Sequence, residues 1–344
     1  MKTESKTTNV NNTKNVSDKT IKKVVLKGWY KGDNVVNCDE LSTQKGVLKK
    51  NNINHNYIDL SNNNIRVCKK AHEKINGVIN SYIKVSDVCM RSMFFEPDGY
   101  TQADWEDPKT RLRILGNPNN ILRGWMSTSL GISKDTCVCV TDAVAKNAII
   151  STDFQQNSSE PKEKKGDKSS TSCYITDKVY KPYYENQITF DFQKLVFWSL
   201  DSQAKLAIPP HMCDIEVNND VNNTELAEAF RSSEFFYEKF GDNMPFTCGE
   251  FVKNSKIPTR PLHGIYFNQD FVKVMFRYLL DCIRIDKTKG TGSIQWDKIK
   301  VAFVYDIRQH PDTYEWKDIS EVDNMTNDEL IFHEYYKPFN VEKN

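Results

Sequence analysis

Residues 264–306, "GIYFNQDFVKVMFRYLLDCIRIDKTKGTGSIQWDKIKVAFVYD", limit the possible folds more than any other stretch of the chain. A short strand leads to Asn268, a residue whose side chain suits a helix N-cap, with Phe267 and Val272 placed to staple the helix start. The helix runs to a Lys/Gly loop, "DKTKGTGS", and the chain resumes as a strand with Ile299, Val301, Phe303 and Tyr305 on one face. Such a strand–helix–strand unit needs a sheet for its strands and a core between sheet and helix.

The other segments extend this pattern. Ile21–Trp29 reads as a strand that ends at a Lys-Gly-Asp turn. "NYIDL" is a second short apolar segment, and "SNNN" then supplies an N-cap from Ser61 or Asn62–Asn64. A helix is expected beyond it, with Ile65, Cys68, Ile75, Val78 and Ile79 at three- and four-residue steps. "NNILRGWMSTSLGISK" (119–134) reads as a strand, and "TCVCV" as a strand with Cys137 and Cys139 on one face. "NQITFDFQKLVFWSL" reads as a strand pair, and "TELAEAFRSSEFFYEKF" as a helix capped by Thr224. The order strand, helix, strand, strand, helix, strand predicts an α+β fold, the βαββαβ sandwich of RRM-like and ferredoxin-like domains. Its sheet would carry two helices on one face and leave the other open.

Residues 1–20 are expected to be disordered, and 21–306 to form the palm. Within it, 91–115 looks like an insertion standing away from the core, 153–172 a charged mobile loop, and 241–264 a Gly/Pro-rich excursion. Residues 307–344 read as an acidic tail. From Asp306 onward the chain carries ten acidic and four basic residues, so the first 305 residues hold a net charge of +7 against +1 for the whole. A basic body with an acidic tail suits a polyanion-binding surface, although an ordinary uneven surface has the same totals.

With 38% apolar residues the chain can build a core, and its Asn-rich runs fit surface loops. Nine scattered cysteines without CxxC or zinc spacing predict free thiols in a cytoplasmic protein. "HMC" at His211–Cys213 is a metal hint no stronger than an ordinary loop. No apolar signal region and no run of about 18 apolar residues suggests a membrane segment. The nucleotide-loop, dinucleotide, HExxH and GxSxG patterns are all missing. His55 or His72 could act as a general base, but a lone histidine near a helix is more often structural. No catalytic residue, metal or cofactor is expected.

Cations beside Gly, Ser/Thr and aromatics are the positive signal. Single-stranded RNA is held by cations on phosphates, by backbone N–H groups and by aromatic platforms. The candidates are Arg66, Lys69 and Lys70 on the first helix and Arg123, Gly124 and Trp125 on a strand, followed by Ser127 and Thr128. Lys253, Lys256 and Arg260 lie in the excursion, and Lys287 and Lys289 beside the closing strand. Arg123 lies in an apolar run, where a charge is costly if buried unpaired, so a buried ion pair with an acid such as Asp191 is the competing explanation.

"YIDLSNNNIRVCKKA", "NNILRGWMSTS", "TSCYITDKVYKPYYENQITFDFQKLVFWSLD" and the 268–306 unit occur in an order that resembles the crRNA-binding backbone subunits of type I CRISPR Cascade complexes. These are RAMP-superfamily proteins, the Cas-seven family, and the likeness is greatest to the type I-F variant form. The resemblance runs discontinuously from about residue 21 to 306. It implies an RRM-like palm with a finger (91–115) and a thumb (241–264), and copies stacked head-to-tail on one guide RNA as a filament. The protein would hold the guide backbone while base pairing reads the target nucleic acid, alongside other Cascade subunits. Arg123 and Arg66 would contact adjacent phosphates, with Gly124 allowing close approach and Ser127, Thr128 and Ser129 adding donors. Two rival readings remain. One is a RAMP ribonuclease using an acid such as Asp98, Asp104 or Asp107; the other is an interaction protein that binds no nucleic acid.

Overall fold

The computed structural model describes residues 20–33, 65–66, 68–96, 105–157, 172–201, 205–213, 222, 224–255, 259–289 and 292–339. Expectations for residues 1–19, "NYIDL", the Ser61–Asn64 cap, His55, Asp98, Asp104, Lys256 and most of the 153–172 loop lie outside these residues. The described chain is α+β, built around one nine-stranded sheet.

At its centre is β1 (Lys23–Asp33), whose alternation buries Val24, Leu26 and Tyr30 on one side. It runs antiparallel to β11 (Tyr183–Phe190) and to β16 (Gly292–Val304). β11 also takes β7 (Val138–Val140) and β8 (Ala143–Ala145), and β8 takes β4 (Val78–Val85), which pairs with β3 (Lys70–Ile75). On the far side of β16 lie β15 (Asp286–Lys289) and β17 (Trp316–Asp318). The central spatial order is therefore β16–β1–β11–β8.

The helices pack on the side that holds Leu26 and Tyr30. The longest is α7 (Gln269–Ile283), capped by Asn268, whose Oδ1 accepts from Phe271 N at 3.0 Å. Its Phe276 lies 6.1 Å from Phe190 on β11 and 6.0 Å from Phe303 on β16, ring centre to ring centre. Phe267 and Val272 are both buried, and Phe267 stacks on Phe271 at 4.3 Å. Three shorter helices, α1 (Asp87–Phe94), α2 (Pro108–Leu115) and α3 (Pro118–Arg123), lie between β4 and β5 (Trp125–Ser127). β5 forms a hairpin with β6 (Ile132–Lys134).

A second sheet joins β12 (Phe197–Ser199), β14 (Leu262–Phe267), β13 (Phe246–Lys253) and β18 (Tyr336–Pro338). A third runs β2 (Ile65–Arg66), β10 (Ser172–Tyr180), β9 (Ile149–Asn157). The remaining helices are α4 (Gln193–Val196), α5 (Glu225–Ser232), α6 (Glu234–Phe240) and α8 (Ile319–Asp323). Among the described residues, no helix is long and apolar enough to cross a membrane.

Several expectations are corrected. The helix expected from Ile65 is instead β2 and the β3–β4 hairpin. Asn76 and Gly77 both take positive φ, +51° and +83°, which suits a two-residue hairpin turn and cannot continue a helix. Helical spacing of Ile75, Val78 and Ile79 was misleading, because all three are exposed. The strand expected over 119–134 begins as α3: Pro118 occupies the first turn and the Asn117 side chain accepts from Asn119 N at 2.8 Å. β11 and β12 belong to different sheets. "TELAEAFRSSEFFYEKF" is two helices, capped by Thr224 and by Ser233. Cys137 precedes β7 and is buried whereas Cys139 is exposed. Cys213 and Cys248 are disulfide-bonded, which corrects the all-thiol reading.

Residues 91–115, expected to stand apart, place Phe94, Phe95, Trp105, Ile114 and Leu115 in the core. Residues 307–339 are likewise no free tail. Ile319, Val322, Leu330, Phe332 and Tyr336 are buried. Arg277 on α7 donates to Val322 O and Met325 O, both at 2.6 Å. Gln269 exchanges two hydrogen bonds with the Phe332 backbone, and Ile21 N donates to Ile331 O at 2.8 Å. The acids read as a tail sit on the outside of a strap that closes the core.

Candidate nucleic-acid interface

Arg123 is the last residue of α3, directly after the buried Asn120, Ile121 and Leu122. One more step round the helix takes its side chain out of the core, which resolves the cost of a charge in an apolar run. The guanidinium is half-buried and donates from Nη1 to Phe95 O at 3.4 Å. No carboxylate pairs with it among the described residues; Asp191 instead lies 3.7 Å from Lys194. The competing Arg123–Asp191 pair does not form.

Phe95 and its successor Glu96 bring a second candidate close. Lys287, on β15, lies 3.3 Å from Glu96 Oε1. Between the two cations, α3 meets α7: Tyr278 Oη donates to Asn119 Oδ1 at 2.7 Å, and Cys282 Sγ is 3.8 Å from the same oxygen. Burial pushes the Cys282 thiol up to about 12 and raises the Tyr278 phenol, so both stay protonated donors. Asn119 and Tyr278 also line a cleft of about 550 Å³ with Lys109 and Arg113 of α2. This rim, Arg123–Asn119–Tyr278–Lys287, offers two cations and neutral donors, with Glu96 on Lys287 and Glu234 in the cleft as its carboxylates, and its cations suit phosphate binding.

The rest of the Arg-Gly-Trp motif is structural. Gly124 has φ +76°, and a Cβ there would lie 2.2 Å from Lys134 O. Its closeness is to this chain's own backbone. Trp125 is 4% exposed, donates from Nε1 to Ala207 O at 2.7 Å, and packs on Trp105 and Trp198. It cannot serve as a base platform. Ser127 is buried, with Oγ 3.3 Å from Ser129 Oγ, while Thr128 is exposed.

The other candidates are spread over the molecule. Lys69 is half-buried beside β4 and Lys70 is exposed on β3. Arg66 lies on β2, in register with Thr176 of β10 and in a different sheet from Arg123's neighbours. Lys253 ends β13, exposed, and Arg260, beyond the hairpin tip, lies 3.4 Å from Asp201. Lys289 ends β15. The candidates therefore form a rim at Arg123 and Lys287, a hairpin tip at Lys253 and Arg260, and a strand edge at Lys70.

Lys134 went unnoticed in the sequence. It is 6% exposed, donates to Ile121 O at 2.8 Å, and holds its ammonium 5.5 and 5.7 Å from the Trp125 and Trp198 rings. Only the alternation of "ISK" beside a tryptophan-rich core hinted at it.

For the enzyme readings, Asp107 is engaged as the cap of α2, with Thr110 N donating at 2.9 Å. Bonds from Thr110 hold its carboxyl below the usual range. His72 is exposed, 2.9 Å from Ser81 Oγ. In the "HMC" stretch, Cys213 is in the disulfide and His211 lies 3.9 Å from Glu225. No group of three or more His, Cys, Asp or Glu suited to a metal ion occurs among the described residues.

No curated protein matches the chain. Among the solved chains similar to it are two at 10% identity. One, from a "CRISPR RNA-guided surveillance complex", has a TM-score of 0.33 over 84% of this chain and 78% of its own. The other, from a "CRISPR RNA-guided surveillance complex, pre-nicking", has a TM-score of 0.36 over 81% and 75%. Residues 20–336 match the family described as "Type I-Fv CRISPR-associated protein Cas7fv-like". The match spans both the rim cations and the C-terminal strap, and by it the chain belongs to the Cas7fv-like family of type I-Fv CRISPR-associated proteins.

Proposed function

We propose that this chain is a non-catalytic backbone subunit of a CRISPR RNA-guided effector, binding the spacer part of the guide RNA and oligomerising along it. The observation that carries the reading is the family match over residues 20–336. In this reading the central strands β16–β1–β11–β8, backed by α3 and α7, are an RRM-like palm. Arg123 supports it as a cation held at the rim by a single carbonyl and left able to meet a phosphate. Lys287 would join it by exchanging Glu96 for RNA. Copies would associate head-to-tail, with other Cascade subunits at the ends and target nucleic acid paired to the guide. The β13–β14 hairpin is the proposed thumb, and the cytoplasm the proposed location.

The test is purification at moderate salt, with absorbance at 260 and 280 nm and particle size recorded before and after ribonuclease. A large RNA-bearing species that shrinks on digestion is expected. An RNA-free species that also refuses added guide RNA would overturn the reading, and cleavage of RNA paired to the guide would move it to the ribonuclease.

A further inference from the structure

The face of the large sheet turned away from α7 carries cations that the rim does not use. Alternation on β1 puts Lys27, Trp29 and Lys31 on this face, each at least partly exposed. Register extends the set across the sheet: Lys27 lies opposite Lys300 and Trp29 opposite Lys298 on β16. Like charges directly opposite each other on antiparallel strands repel. Here two such lysines occupy the two central strands of a large sheet, with a third two residues along.

Nearby acids offset this charge only in part, although Asp297 adjoins Lys298 and Asp318 is in register with Lys300. Asp297 is taken by Lys31 and by Tyr183 Oη, and Glu73 by Lys146 at 3.0 Å. Asp318, opposite Lys300 on β17, is the N-cap of α8. Glu185 lies opposite Trp29 on β11. Lys27, Lys298 and Lys300 make no ion pair with any described residue, and the Lys27 ammonium sits 5.0 Å above the Trp316 ring. Beside them is a cleft of about 570 Å³, lined among others by Lys27, Trp29, Lys146, Tyr183 and Gln187.

Cations in register that make no ion pair, beside a partly exposed indole, fit one class of ligand. An acidic peptide would use the cations but not the flat ring; a single nucleic-acid strand uses both, its phosphates on the lysines and a base on the indole. We propose that this sheet face is a second track for single-stranded nucleic acid, separate from the Arg123 rim. Lys27, Lys298 and Lys300 take phosphates and Trp29 stacks a base. As a second track it rests on the guide-binding reading, whereas the face's own affinity for a strand does not.

The experiment titrates labelled oligo(U) and oligo(dT) into guide-loaded protein at several salt concentrations, reading anisotropy. Wild type should bind. The K27Q/K300Q protein should load guide normally, bind oligonucleotide about tenfold more weakly, and show a log K against log salt slope shallower by roughly 1.4, for two lost phosphates. Trp29→Ala should weaken binding and leave the slope unchanged. Circular dichroism shows whether each variant is folded, and K298Q repeats the test at a neighbouring exposed site. Unchanged affinity and slope in folded K27Q/K300Q overturn the proposal. So does loss of guide loading in that variant, which would make the face the guide's own site. If wild type takes up no guide, the guide-binding reading fails instead, and titration of guide-free protein still decides whether the face binds a strand.

Discussion

A single arginine shows how position changes the meaning of a charge. Arg123 is placed by the last turn of α3, with one 3.4 Å hydrogen bond and no carboxylate among the described residues. Arg123→Ala should therefore leave stability within about 1 kcal/mol, since surface positions of this kind cost little. Guide-RNA binding should weaken and its salt slope become shallower by roughly 0.7, one phosphate of a single strand. Chemical unfolding and a salt titration check the two halves separately. Gly124→Ala should behave in the opposite way, because its φ of +76° and the backbone oxygen of Lys134 leave no room for a methyl. Roughly 3 kcal/mol or more should be lost, seen as a lower urea midpoint or insoluble protein. Tyr30 is a third case. Its hydroxyl is buried with no hydrogen-bond partner among the described residues, and burial raises its pKa far above that of free tyrosine. Tyr30→Phe should stabilise by about 1 kcal/mol, measured as a higher midpoint, because an unsatisfied hydroxyl is removed and the ring kept.

At the scale of elements, the sequence was informative where one face alone is buried. α7 with its Asn268 cap follows that rule, as do Lys27–Lys31 of β1, while the paired ends Val24–Leu26 and Val301–Val304 are legible as continuous apolar runs buried on both faces. The β3–β4 hairpin reads as a helix because Ile75, Val78 and Ile79 fall at helical spacing although all three are exposed. The turn chemistry of Asn76–Gly77 identified it better than periodicity did. α3 is six residues long, too short for a helical period to show. The basic sheet face was invisible because Lys27 and Lys300 are far apart in the chain and only register brings them opposite each other. The junction of β4, α1 and β8 offers a pH test. Burial would raise the Asp142 carboxyl, but hydrogen bonds from Lys84 at 2.7 Å and Asp87 N at 2.9 Å hold it below its usual value. A depressed folded-state pKa gives stability that is full above the unfolded value of about 3.9 and is lost as pH falls through the folded one. Urea midpoints from pH 7 to 3 should therefore fall less steeply in Asp142→Asn than in wild type.

For the whole molecule, the strap after Asp306 decides whether the core closes. Phe332 lies 4.9 Å from Phe192 and 5.9 Å from Phe276, ring centre to ring centre, and β18 edges the second sheet through β13. Deleting residues 307–344 should expose these aromatics, giving aggregated or dye-binding protein in place of a cooperative thermal transition. A truncated protein that melts as wild type does would refute the strap's role. The same architecture has a consequence for synthesis. β1 leaves the ribosome first, yet Lys23 pairs with Val304 and Ile21 bridges to Phe332. The central strand must wait unpaired on that side until residues 293–304 have emerged, and such distant pairings are slow to form. Until those later strands arrive, one edge of β1 stays open, with Lys27 and Lys31 on its solvent face.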